Sequence, residues 1–249
     1  TSNGEVHGTC QSEVQMNLDL PVEIRIVRTD RRKTLLIEVD NPVVTVKVPK
    51  TLSDERLEAL LRKRRTWIKD KLETQEDMPP LRPKEYVNGE SFSYLGRTYR
   101  LRIVSGKQGD PVKLRKGYLE VPVANEEGHE GRESSIRDSL TEWYSSHALA
   151  RLKNKCSRYG KILGVEPSSI KVDDYKTRWG SCSSSGIVSF NWRVILAPHS
   201  IVDYVVVHEL CHMLEHNHSS KYWSHVAMVI PNYQECREWL KRHGAYLVI

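Results

Sequence analysis

Several absences narrow what this 249-residue chain can be. No apolar run approaches the ~20 residues that cross a bilayer, so no membrane span is expected. The first twenty residues lack the apolar core of a signal peptide and are expected to form a disordered tail. None of the five cysteines (Cys10, Cys156, Cys182, Cys211 and Cys236) belongs to a CxxC pair. That argues against a zinc ribbon, and the odd count against a disulfide framework, so a reducing, cytoplasmic setting is expected. There is no internal repeat and no low-complexity segment. The net charge is +6, but the excess is spread along the chain. It forms no concentrated nucleic-acid footprint. Its densest run, Arg62 to Arg65, lies in a helical pattern and reads as a solvated face.

What remains is an α+β pattern. "VEIRIVRT" and "KTLLIEVDNPVVTVKVP" alternate apolar and polar residues around an Asn-Pro turn, as strands do. Ser53 then caps a helix whose face carries Leu57, Leu60, Leu61, Ile68 and Leu72. "ESFSYLGRTYRLRIV" and "VKLRKGYLEVPV" read as hairpins. Ile136, Leu140, Trp143, Tyr144 and Leu152 mark a long helix reaching about Tyr159. The polar stretch "NEEGHEGRE" is the candidate boundary. The expected division is a tail over 1–20, a strand-rich region over 21–130 and a helix-rich catalytic domain over 131–249. The first region is expected to roof the cleft or present substrate.

Four of the ten histidines fall between His208 and His218. Ser200 and Asp203 are expected to open a helix through "IVDYVVVHELCHMLEH". His208 and His212, four apart, project from one face on successive turns and can pinch one metal ion. Glu209 is placed to reach a metal-bound water as general base, the HExxH arrangement of zinc hydrolases. A catalytic zinc needs a third protein ligand. Glu215 lies on the same face a turn beyond, His216 is rotated away, and His218 reaches the metal if the helix stops. Asn217 tolerates the conformation that ends helices, and Ser219 or Ser220 can cap the next one. This favours His218, with Glu215 as the alternative.

Upstream, "GIVSFNWRVILAP" alternates. Val188, Phe190, Trp192, Val194 and Leu196 should face a core, and Ser189, Asn191 and Arg193 should face out. The reading is an edge strand forming a cleft wall, on which an extended peptide can pair. The preceding "TRWGSCSSSG" reads as a flexible loop. Arg178, Asn191 and Arg193 are candidate substrate contacts, and Tyr233 is a candidate donor to a developing oxyanion.

The blocks "RWGSCSSSG", "FNWRVILAP", "YVVVHELCHMLEHNHSSKYW" and "PNYQECREWL" together resemble the YgjP-like metal-dependent hydrolases, distant relatives of SprT-type zincins. The resemblance is strong from Lys171 to Gly244 and extends loosely to about Pro21. It implies a zincin-like domain with His208, His212 and His218 on zinc and Glu209 as base. The chain departs from metzincins, since Glu215 stands where their turn glycine would be. Lacking a zinc ribbon, it gives little reason to carry over DNA-linked proteolysis. The resulting expectation is a zinc-dependent hydrolase, foremost a metallopeptidase. Its alternatives are hydrolysis of a small anionic substrate such as a nucleoside triphosphate, or a binding module with a structural zinc.

Overall fold

A computed structural model describes residues 23–30, 34–40, 43–76, 82–107, 109–124 and 129–249. The expected tail, the Asn-Pro turn and the first four residues of "NEEGHEGRE" lie outside them. The chain forms two compact units, Thr1–Leu81 and Arg82–Ile249.

In the first unit, β1 (Glu23–Thr29), β2 (Leu36–Asp40) and β3 (Val43–Pro49) form a sheet in the order β1-β3-β2. β3 runs parallel to β1 and antiparallel to β2. Alternation puts Val44, Val46 and Val48 on one face of β3, with Ile26 of β1 beside them. α1 (Asp54–Glu76) covers that face with Leu57, Leu61, Ile68 and Leu72. Ser53 caps it as expected, its Oγ accepting from the Arg56 amide at 3.4 Å. Arg62 to Arg65 are exposed, as a solvated face requires.

The second unit opens with β4 (Ser91–Tyr94), β5 (Arg97–Ser105), β6 (Lys113–Arg115) and β7 (Tyr118–Val123), ordered β4-β5-β7-β6. Both hairpin turns hold a non-glycine residue followed by glycine at positive φ: Leu95–Gly96 and Lys116–Gly117. This is the type of two-residue turn that matches strand twist. Glycine at 96 is needed twice over. Its φ is +79°, and a Cβ there would lie 3.0 Å from the Pro198 Cα. The 35-residue α2 (His129–Leu163) buries Ile136, Leu140, Tyr144 and Leu152. Tyr144 donates its hydroxyl to the Ser93 carbonyl at 2.9 Å.

Beyond α2, β8 (Ser169–Asp173), β9 (Gly180–Cys182) and β10 (Ile187–Asn191) form a sheet ordered β8-β10-β9. A 3-10 turn (Trp192–Leu196) leads into α3 (His199–Cys211), then α4 (Ser220–Val229) and α5 (Tyr233–His243). No helix among the described residues is long and apolar enough to cross a membrane.

Three expectations change. The units part at Leu81/Arg82 rather than at 130, because the β4–β7 sheet shares one buried core with α2, α3 and β10. The strand preceding the histidine helix is five residues long and central, not an edge. Its alternation ends at Asn191, after which Trp192, Val194, Ile195, Leu196 and Ala197 are all buried, so no polar face continues. The edge strands are β8 and β9, the latter within the segment that read as a loop. Finally, α3 starts at His199 after Pro198, without a side-chain cap. Asp203 instead forms an ion pair with Lys155 of α2 at 2.5 Å.

Candidate metal centre

α3 is the most deeply buried helix of the second unit, with Val202, Val206, Val207, Leu210 and Cys211 all fully enclosed. Enclosure fixes its rotation, and that rotation brings His208 and His212 to the one side that is only half-buried. His212 is the helix C-cap. Turn bonds from the Leu214 and Glu215 amides to the Cys211 carbonyl then reverse the chain. Ser219 caps α4, its side chain accepting from the Tyr222 amide at 3.2 Å. The stop falls about five residues earlier than Asn217, yet the consequence is the expected one. His218 folds back onto the helix face.

The ligating atoms of His208, His212 and His218 lie within 4.8 Å of one another. The Nε2 atoms of His208 and His218 are 3.3 Å apart. Zinc held tetrahedrally at about 2.0–2.1 Å from each nitrogen sets ligand atoms about 3.3 Å apart, so this pair has the spacing of two ligands on one ion. The His212 tautomer fits as well. His212 Nδ1 lies 3.3 Å from the Glu215 carbonyl, which can only accept, leaving Nε2 free to ligate. Burial holds the His208 imidazole down at about 3, with His212, His218 and Arg237 adding to the effect, so the ring is neutral as ligation requires. Burial likewise lowers His212.

Two residues that the pattern did not single out shape this centre. Tyr222 is fully buried beneath the imidazoles, its ring 4.7 Å from those of both His212 and His218. Its hydroxyl donates to the His208 carbonyl at 2.8 Å, tying α4 to α3. Gly180, on β9, lies against Glu209. A Cβ there would meet Glu209 Cγ at 2.6 Å and Oε1 at 2.7 Å. Only glycine leaves room for the carboxylate to stand where it does. Glu209 is 6% exposed. Burial raises its carboxyl to about 8, partly countered by the Arg178 guanidinium.

The other sequence-selected residues divide. Arg178 lines a pocket of about 340 Å³ together with His208 and Glu209. Asn191 does not face out. It is 4% exposed, its amide donating to the Tyr175 carbonyl at 2.6 Å and its oxygen capping the 3-10 turn through the Arg193 amide. Arg193 pairs with Asp174 and lies over the Trp192 ring. Both side chains are committed to holding the 174–193 segment. Tyr233 stacks on Trp223, which stacks in turn on His218. Glu215 pairs with Lys221 and stands apart from the triad. Burial and the charge of Glu209 raise the Cys182 thiol, which makes it a poor nucleophile.

No curated protein matches the chain at a significant level. Among solved structures, the metallopeptidase zymogen abylysin of Pyrococcus abyssi aligns at 22% identity, over 36% of this chain and 93% of that one, with a TM-score of 0.34. The model of the YgjP-like family, described as a metallopeptidase domain, matches residues 33–243. That span reaches into both units and takes in every residue of the centre, and the chain belongs to the YgjP-like metallopeptidase family.

Proposed function

We propose that the protein is a zinc-dependent metallopeptidase in which His208, His212 and His218 hold the ion and Glu209 is the general base. The observation that carries this reading is the buried Glu209 carboxyl, fitted against Gly180 beside three converging imidazoles. A bound zinc supplies Lewis acidity and brings the pKa of a coordinated water from 15.7 to about 7. Glu209 takes a proton from the attacking water and passes it to the leaving amine. A carboxyl raised by burial is suited to both tasks. Tyr233, one ring removed from His218, is the candidate donor to the developing oxyanion.

The peptide is best placed along β9. Its pairing with β10 runs from Gly180–Phe190 to Cys182–Val188, and among the described residues its other edge carries no strand. A substrate adding there by backbone hydrogen bonds would lie beside Glu209. The structural-zinc alternative favours four protein ligands. The described residues bring three to the cluster, and that reading leaves Glu209 without a role. Hydrolysis of a small anionic substrate would call on both Arg178 and Arg193 to hold the anion, and Arg193 is engaged by Asp174.

Zinc-loaded and chelator-stripped protein should be incubated with a peptide library and with nucleoside triphosphates, using Glu209→Gln as blank. Zinc-dependent peptide cleavage that is lost in the blank is expected. Nucleotide turnover lost in the blank, with no peptide cut, would overturn the ranking.

A further inference from the structure

The pocket of about 340 Å³ opens on His208 and Glu209 and is lined by Arg178, Trp179, Tyr204, Arg237 and Leu240. Its walls are aromatic and aliphatic, but two guanidinium groups stand in them. Neither is within salt-bridge distance of a carboxylate among the described residues, though Glu209 feels Arg178 and Glu238 feels Arg237. Arg178 lies 4.3 Å over the Tyr175 ring, and Arg237 lies 5.4 Å over Trp223, the ring stacked on His218. A third cation, Lys241, is neutralised by Glu238 at 2.5 Å. Both arginines are near enough to act on the centre, Arg178 on Glu209 and Arg237 on His208 and Tyr204. Two cations that make no ion pair, beside a metal centre that already repels positive charge, are an unfavourable arrangement for the free protein, and Glu209 and Glu238 offset them only in part. An anion between them removes the penalty, and forked guanidinium donors suit an acceptor with two oxygens.

We infer that this pocket is a specificity subsite for a substrate group bearing two acidic oxygens, recognised by Arg178 and Arg237 while Trp179, Tyr204 and Leu240 enclose its apolar stem. The inference rests on the metallohydrolase reading for its place beside the reaction. For a peptide lying on β9 the group is an Asp or Glu side chain next to the scissile bond, because Gly180 opens the strand and lines the pocket together with Trp179 just before it. Arg237 thus takes the place that the sequence pattern gave to Arg193.

Two measurements separate the subsite from the reaction. Metal-free protein, in which no ion can hold the anion, is titrated calorimetrically with glutarate and separately with inorganic phosphate. The wild type should bind at least one of them, and Arg178→Ala plus Arg237→Ala should weaken binding by about tenfold or more. Equal binding by the double variant, or none by the wild type, overturns the subsite whatever the enzyme cuts. Zinc-loaded protein is then given peptide pairs that differ only by Glu against Gln, or Asp against Asn, at each position near the cleavage point. The acidic member should be favoured in kcat/KM by about tenfold, and Arg237→Glu should abolish or invert that preference while leaving zinc content unchanged. No preference in the wild type contradicts the subsite. Binding in the first experiment, with no peptide cut in the second and zinc-dependent turnover of nucleoside triphosphates supplied in their place, keeps the subsite and sinks the peptide reading.

Discussion

The histidine-bearing segment from α3 to α4 and the segment 174–193 line the same centre by different means. The first is held by local rules: a buried helix face, a C-terminal turn and a serine cap, which together deliver three imidazoles. The second is held by contacts between residues far apart in sequence. Asn191 bridges back to Tyr175, Arg193 to Asp174, and Gly180 abuts Glu209. On the proposed function, the first segment would bind the ion and the second would position the base. The contrast predicts that damage to the first is read in metal content, and damage to the second in turnover.

The largest effect should come from the first segment. His218→Ala should lose most bound zinc while its far-UV circular dichroism is kept, and Glu215→Ala should retain the metal. Elemental analysis of metal per chain distinguishes them, and a fully loaded His218 variant would refute the ligand assignment. Gly180→Ala comes next and sharpens the contrast. The added methyl displaces the Glu209 carboxyl, and a misplacement of that order costs about 10² in rate. Zinc per chain should not change, and a drop in zinc would show that β9 supports the ligands as well. Tyr222→Phe deletes one buried hydrogen bond across the α3–α4 junction. Denaturant unfolding should register a loss of about 0.5–1.5 kcal/mol. Arg193→Ala should do least. Its ion pair with Asp174 is partly solvated, with side chains 29% and 51% exposed. Such pairs are worth about 0–1 kcal/mol, and zinc content should be untouched.

The same contrast explains what could be read in the sequence. His208 and His212 at i and i+4, Glu209 between them and Ser219 as a cap are signals within one or two helical turns, and each is found in place. The end of α3 was misplaced because Met213, Leu214 and Glu215 favour helix, whereas turn bonds to Leu210 and Cys211 carbonyls stop it earlier. The strand "GIVSFNWRVILAP" was over-extended because period-two alternation continues through Trp192 and Val194. What breaks it is Asn191 capping a 3-10 turn, and its burial depends on the 175–178 backbone. Gly180 does not adopt a positive φ, so no turn signature announces it. It is glycine because a side chain from another element occupies the space. Arg237 carries no local signal either, and reaches the centre only through the packing of α5. The sequence does not reveal the unit boundary at Leu81/Arg82 because its polar stretch at 125–133 marks a different point.

The most direct test of the account is Glu209→Gln in zinc-loaded protein. The amide matches the carboxyl in size and keeps its place against Gly180, but it cannot take a proton. Zinc per chain and melting temperature should stay at the wild-type values, while peptide hydrolysis falls by about 10² or more. Loss of zinc would make Glu209 a ligand or a support for one. Retained hydrolysis would remove it from the chemistry. Either result contradicts a centre in which three histidines bind and one buried glutamate moves the proton.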